Sequence, residues 1–317
     1  MSAGVSSLEI LFHSIRPEQV ENWIQILRDE GLEFTPVYRQ PGQGPTGARL
    51  AVVWMPPAQL FHDEDRLEVV FNVGAGVDAI LEANVLPEQV DLVRLEDSGM
   101  AAKMAEYVIH AMAEITRNMG QFRDAQQQRA WASAEHVYTE DWPVGILGLG
   151  VIGSKIAAGL ASMGYPVRGW SRRQRHFDGV ECFAGEDGFN EFVAGSRVLV
   201  NVLPLTPETR HVLNRDTFGN MLPGGHIINI GRGEHLDEDA LLACLDDGTL
   251  AGATLDVFTT EPLPHSHPFW THPKVVITPH ISGTTNARLA MRQIAAKVRA
   301  WRAGTPLTGV VDRRAGY

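Results

Sequence analysis

The sequence is poor in cysteine. Only Cys182 and Cys244 occur in 317 residues, far apart and in neither a CxxC nor a metal-type spacing. Two lone cysteines build no disulfide framework, which excludes a stapled secreted scaffold and fits a reducing cytoplasm. Long hydrophobic runs are missing too: no window nears the roughly 18 apolar residues of a membrane span. The opening MSAGVSSLEILFHSIRPEQ has no basic start and no apolar stretch of signal length, so a soluble, cytoplasmic chain without membrane association is expected. Positive charge is scarce, with 27 Lys plus Arg against 38 Asp plus Glu and a formal net charge of −11. Such a chain is not expected to engage nucleic acid or an anionic membrane surface, because both are polyanions. Any anion it binds must be caught locally, by placed arginines or helix N-termini.

What is present is an alternation of short β-branched runs with helical patterns, and the length suggests two domains. Strand-like runs include LEILFHS (8–14), LAVVWMP (50–56), LEVVFNVG (67–74), VGILGLG (144–150), RVLVNVLP (197–204), GHIINIG (225–231) and KVVITP (274–279). Between them, Val20, Trp23, Ile24 and Leu27 share a helical face, with Pro17 in the first turn and Gly31 closing it. Met104, Val108, Ala111, Met112, Ile115 and Met119 form another face. A last amphipathic helix over roughly 285–303 carries Leu289, Ile294, Val298 and Trp301. This alternation predicts an α/β protein with two doubly wound parallel-sheet domains. The seam is placed near 97–103, and the second sheet is expected to begin at Trp142.

One strand runs straight into glycines: VGILGLGVIGSK places Gly148, Gly150 and Gly153 between a strand and a helix. The first glycine permits the tight turn, the second lets backbone approach a pyrophosphate, and the third lets helix and strand pack closely. A dinucleotide site is therefore expected, with the phosphates at the helix N-terminus. The next strand, YPVRGWS, ends where such sites place an acid to bind the ribose. Here that place holds Ser171, Arg172 and Arg173, and no carboxylate follows until Asp178. Arginines pair bidentately with a 2′-phosphate that a carboxylate would repel. NADPH is the expected cofactor, with NADH possible. Arg168, in mid-strand, and Arg175, further out, suit the task less well.

Three later segments each end a strand in polar residues: NIGRGEHLD, TLDVFTTEPLP and VITPHISGTT. They offer Arg232, Glu261 and His280 at the sheet edge where doubly wound proteins bind ligands. A guanidinium can clamp a carboxylate and polarise a keto oxygen, and an imidazolium can donate a proton to it. A carboxylate beside the imidazole would keep it charged near neutral pH. Taken singly, each also suits an ordinary loop role, and spacing does not establish their contact. The histidines of HSHPFWTHP (His265, His267 and His272) sit among Pro264, Pro268 and Pro273, which indicates an irregular loop; no metal site is expected.

The order GLGVIG, VLPLTPET, NIGRGEHLDEDALLACL, LDVFTTEPLP and TPHISG resembles the D-isomer-specific 2-hydroxyacid dehydrogenase family over most of residues 100–290. VVWMPPAQL, VFNVGAGVDAIL, VRLEDSGM and VDRRAGY are similar to its glyoxylate/hydroxypyruvate reductase branch, A type. The resemblance implies a Rossmann-type cofactor domain at 101–285. The substrate domain it implies is flavodoxin-like and discontinuous, made of 1–100 and 286–317, with the active site in a cleft. It implies that Arg232 binds substrate, that His280 donates the proton and that Glu261 is its partner. Val151, Ile152, Leu203, Pro204, Thr209, Ile230, Asp256 and Gly283 would flank the cofactor. The backbone N–H groups of Ala75, Gly76 and Val77 would hold the substrate carboxylate, with Trp54 and Met55 walling the pocket. Trp131 would reach across the interface of a homodimer. The expected reaction is NADPH-dependent reduction of glyoxylate and hydroxypyruvate to the D-hydroxy acid. The alternatives are a reductase of larger 2-keto acids such as arylpyruvates, or a nucleotide-sensing interaction protein. The family's commoner form carries the ribose-binding acid, and this sequence departs from it.

Overall fold

The structure, a computed structural model, describes residues 8–39, 43–62, 64–74, 76–134 and 136–314. The chain divides into two units, Met1–Gly99 with Thr285–Tyr317, and Met100–Thr284.

Among the described residues, the first unit holds five parallel strands: β1 (Glu9–Ser14), β2 (Thr35–Val37), β3 (Leu50–Trp54), β4 (Val69–Asn72) and β5 (Asp91–Val93). Their order, β2-β1-β3-β4-β5, is the flavodoxin-type order. Central β3 and β4 are buried along almost their whole length, which is why they read as continuous apolar runs and not as alternating ones. The edge strands β2 and β5 have three residues each, too few to show a period. On one face the helix Pro17–Asp29 packs Val20, Trp23, Ile24 and Leu27 into a core with Ala290, Met291, Ile294, Ala295 and Val298 of the helix Ala287–Arg302. Ile294 and Val298 of that last helix are buried as expected and Trp301 packs against the same core, but Leu289 is 40% exposed and the small Ala290 takes the core position. Asn286 caps this helix by accepting a hydrogen bond from the Leu289 N–H at 3.2 Å. Lys297 is buried in the stripe. Its ammonium meets the Glu96 carboxylate at 3.0 Å and the Thr308 carbonyl and hydroxyl, which neutralises it there.

The second unit holds seven parallel strands: β6 (Val144–Leu147), β7 (Val167–Ser171), β8 (Val180–Ala184), β9 (Val198–Asn201), β10 (Gly225–Asn229), β11 (Leu250–Leu255) and β12 (Val275–Ile277). The order is β12-β11-β10-β9-β6-β7-β8. The chain starts in the middle at β6, builds outward to β8, then returns to β9 on the other side. That reversal beside β6 is the topological switch point of a Rossmann sheet. The helix Val151–Ser162 buries Ile156, Ala157 and Leu160 against Met104, Val108, Ala111 and Met112 of the helix Met100–Thr116. The expected face does not continue to Met119. Asn118 takes a left-handed φ of 46°, which ends the first helix, and Met119 opens a separate helix to Gln127 that buries no residue. Among the described residues, no helix is long and apolar enough to cross a membrane.

Candidate active site

All seven parallel strands of the second unit deliver their C-terminal ends to one edge, and the predicted chemistry lies in the loops there. After β6, Gly148 takes φ 104°, and a Cβ at Gly153 would lie 1.7 Å from the Gly148 carbonyl oxygen. No side chain fits at Gly153. At Gly150 a Cβ would meet nothing within 4 Å, so the turn is open where a pyrophosphate must approach. Val151 and Ile152 begin the helix and present its first, unbonded N–H groups to that space. The cradle fits a dinucleotide.

β7 ends at Ser171, whose hydroxyl donates to the Arg173 carbonyl at 2.8 Å and curls the following loop. Arg172 and Arg173 are exposed on it. The Glu208 carboxyl is held below its usual range by its own backbone N–H, by Thr206 and by the charge of Arg172. The arginine loop and the 203–209 loop after β9 are thus electrostatic neighbours. Arg168 is committed elsewhere: it pairs with the Glu181 carboxylate, donates to the Glu191 carbonyl at 3.0 Å and lies 4.4 Å over the Phe183 ring. In the 203–209 loop, Leu203 is buried against the glycine turn and Pro204 is exposed. Thr209 donates its hydroxyl to the Pro204 carbonyl at 2.8 Å, which closes the turn.

Arg232 follows β10 and is held from beneath by a pair of buried asparagines that no sequence motif announces. Asn201 and Asn229 are register partners at the ends of β9 and β10, and the Asn201 amide donates to Asn229 Oδ1 at 2.9 Å. Asn229 in turn donates to the Arg232 carbonyl at 2.9 Å and accepts from the Gly231 N–H at 3.2 Å. Their only trace in the sequence is an asparagine in the last position of two successive apolar strands. A Cβ at Gly233 would lie 1.9 Å from the Phe258 carbonyl carbon, so the Arg232 loop is pressed against the chain leading to Glu261.

Glu261 divides its carboxylate between two donors. Oε1 accepts from the Phe258 N–H at 3.0 Å, and Oε2 lies 2.8 Å from His280 Nδ1. The Glu261 loop is itself tied by Glu238, which accepts from the Thr259 N–H at 3.3 Å and meets His267 Nε2 at 3.3 Å. His280, at φ 53°, follows β12, and its N–H donates to the Asp256 carbonyl at 2.8 Å. The Asp256 side chain is fully buried and binds the same loop, accepting from Thr278 Oγ1 at 2.6 Å and from the Ile281 and Ser282 N–H groups at 2.8 and 2.9 Å. Thr278 spends its only proton on Asp256, so Tyr107 must donate to Thr278 across their 2.6 Å contact. Burial pushes the Tyr107 phenol up to about 12, so it stays a donor. Ile230 is buried below this edge, and a Cβ at Gly283 would lie 3.1 Å from Met104 Sδ.

These contacts set the charges. The hydrogen bond to Glu261 raises the His280 pKa against the opposing effect of burial, and the Glu261 charge adds to it while Arg232 subtracts. Burial pushes the Glu261 carboxyl up. The hydrogen bonds from His280 and Phe258, with the charges of His280 and Arg232, outweigh it and leave the pKa lowered. The guanidinium of Arg232 therefore acts on both members of the pair. The edge can hold an anion at Arg232 and present an acidic proton from His280.

Other expected residues belong to other segments of the chain. In the first unit a Cβ at Gly74 would fall 2.3 Å from the Trp54 ring, so the ring packs directly on that glycine. Met55 is 54% exposed at φ 47°. The buried Asn72 donates to the Gly74 and Gly76 carbonyls at 3.3 and 2.8 Å, and Val77 is buried. Ala75 lies outside the described residues. His267 and His272 pair with Glu238 and Asp246. Among the described residues, no group of three or more His, Cys, Asp or Glu side chains is placed to hold a metal.

Comparison with known proteins decides what kind of edge this is. Residues 109–282 match the model of the D-isomer specific 2-hydroxyacid dehydrogenase NAD binding domain. A glyoxylate/hydroxypyruvate reductase A from Serratia proteamaculans is 46% identical over 88% of this chain and 90% of its own. The chain belongs to the D-isomer specific 2-hydroxyacid dehydrogenase family. Within that family it sides with the glyoxylate/hydroxypyruvate reductase A branch. A family member from Xanthobacter autotrophicus Py2, solved in complex with NADPH and MES, superposes with a TM-score of 0.92 at 37% identity, covering 98% of this chain and 100% of that one. An NADPH-dependent glyoxylate/hydroxypyruvate reductase from Sinorhizobium meliloti, solved with NADP and sulfate, gives 0.91 at 34% identity, covering 98% and 99%. The doubly wound fold, the flavodoxin-type strand order and the Rossmann unit are those of this dehydrogenase family.

Proposed function

We propose that this dehydrogenase is an NADPH-dependent reductase of small 2-keto acids, converting glyoxylate to glycolate and hydroxypyruvate to D-glycerate. One observation carries the assignment: His280 Nδ1 meets the Glu261 carboxylate at 2.8 Å while the charge of Arg232 acts on both. Bound NADPH supplies the hydride; the side chains do the rest. Arg232 holds the carboxylate and polarises the keto oxygen, which makes the carbonyl carbon electron-poor. His280 uses Nδ1 to bind Glu261, leaving Nε2–H as the proton for the oxygen that becomes the hydroxyl. Glu261 keeps the imidazole charged and oriented. Gly148, Gly150 and Gly153 would take the pyrophosphate, Arg172 and Arg173 the 2′-phosphate, and the exposed Pro204 and half-buried Thr209 would flank the cofactor. The backbone N–H groups of Gly76 and Val77, with Trp54 and Met55, form the substrate-holding part of the first unit. A nucleotide sensor has no need of a proton donor with a raised pKa, which argues against that alternative.

A spectrophotometric assay of NADPH oxidation over a panel of keto acids tests the proposal. Glyoxylate and hydroxypyruvate are expected to give the largest kcat/KM, well above arylpyruvates and well above the same substrates with NADH. Flat traces for every keto acid would end it.

The pH profile offers an independent check. With His280 raised above its ordinary value near about 6.5, reduction should fall as pH rises through that raised value, because the donor loses its proton. The stability from the pair follows the same sign: the His280 part is complete below about 6.5 and lost through the raised value. The Glu261 part is present above the ordinary carboxylate range and lost as pH falls through its lowered value. Replacing Glu261 with Gln should move the alkaline limb of kcat to lower pH. An unmoved limb would remove Glu261 from the role.

The assembly we propose is a homodimer. The helix Met119–Gln127 buries no residue in its own chain, and Trp131 beyond it is fully exposed, as an arm made for a partner copy would be. Two free cysteines suit a cytoplasmic setting, and the net charge of −11 argues against a nucleic-acid partner.

A further inference from the structure

His235 has no part in the chemistry above, yet it is fully buried and sits three residues beyond Arg232. Its Nδ1 accepts the backbone N–H of Arg232 at 3.1 Å, so that nitrogen carries a lone pair and no proton. The proton is then on Nε2, which points at the Pro204 carbonyl at 3.2 Å. The ring is boxed in: a Cβ at Gly231 would stand 3.1 Å from Nδ1, and the His235 carbonyl accepts from the Leu213 N–H at 2.9 Å. A neutral imidazole is the side chain that offers an acceptor and an opposed donor across one rigid ring.

We propose that His235 is a positioning residue that couples the two halves of the reaction. One nitrogen sets the backbone of Arg232, and with it the guanidinium for the keto acid. The other holds the Pro204 carbonyl, and with it the 203–209 loop for the cofactor. This rests on the assignment of Arg232 to the substrate and of that loop to the nucleotide.

Two substitutions split the functions. In His235→Asn the side-chain oxygen stands near the Nδ1 position and still accepts from Arg232, while the Pro204 carbonyl loses the imidazole donor and keeps the Thr209 hydroxyl. In His235→Gln the amide nitrogen reaches toward the Nε2 position and still donates to Pro204, while the Arg232 N–H loses its acceptor. The expected result is a crossed pattern. His235→Asn raises the NADPH Kd, measured by nucleotide fluorescence without substrate, by about tenfold and leaves the glyoxylate KM near wild type. His235→Gln raises the glyoxylate KM by about tenfold and leaves NADPH binding near wild type. A purely structural histidine would lower the melting temperature of both variants and move the two constants together, which overturns the proposal. The native protein gives a second reading that needs no folded variant: nitrogen-15 NMR of labelled histidines should show one buried ring protonated only at Nε2 at neutral pH. A proton on Nδ1 of that ring overturns the proposal as well. Arg232→Lys serves as the control. If it leaves the glyoxylate KM unchanged, the Arg232 assignment fails; if it raises that KM while the His235 pair shows no crossing, only the His235 coupling fails.

Discussion

Replacing His280 with alanine is expected to lower kcat for glyoxylate reduction by about 100- to 10,000-fold, the usual contribution of a placed general acid. NADPH affinity, followed by fluorescence, should stay at the wild-type value. The two outcomes separate because the imidazole is half exposed and its structural bond is to a single carboxylate oxygen. Removing it leaves the strand end and the Asp256 clamp in place, since those act on backbone and on Thr278. One complication is conformational: His280 sits at φ 53°, a region that disfavours alanine and tolerates asparagine. His280→Asn is therefore the better-matched variant. It keeps the backbone comfortable, carries no titratable donor and should be as slow as the alanine variant. Turnover near wild type in either would remove the histidine from the chemistry.

The second large effect concerns the cofactor. Replacing Arg172 and Arg173 together with alanine should raise the KM for NADPH by about 10- to 1,000-fold and change that for NADH little. Each guanidinium would form charge-assisted hydrogen bonds with a phosphate, worth roughly 0.7–2 kcal/mol apiece on this exposed, screened loop, and the ribose hydroxyl of NADH cannot replace them. The loop is exposed and its arginines pack no core, so the variant should fold normally. Its effect should also shrink at high salt, because exposed charges are screened. Equal changes for both nucleotides would show that the loop does not read the phosphate. Arg168 gives the contrasting case: its partners are Glu181, Glu191 and Phe183, so its loss should destabilise the sheet edge and spare selectivity.

Much of this protein was written in its sequence. The glycines of 148–153 are dictated by contacts a few residues away, where a Cβ would strike the neighbouring carbonyl, so local spacing carries their meaning. The buried strands β3, β4, β6 and β9 announce themselves as apolar runs because both faces are covered. The arginines that take the place of the ribose acid are likewise a local feature, legible once the preceding strand is recognised. The sequence offered Arg232, Glu261 and His280 as three candidates at the ends of three strands, with nothing to say that they meet. Only the parallel sheet order, the bare Gly233 against Phe258 and the shared carboxylate of Glu261 join them, since hydrogen bonds across 19 residues follow from tertiary register and leave no periodic trace. The same reason hid Asn201, Asn229, Tyr107 and His235. A buried polar side chain is recognised by the partner that satisfies it, and those partners come together only when the chain has folded.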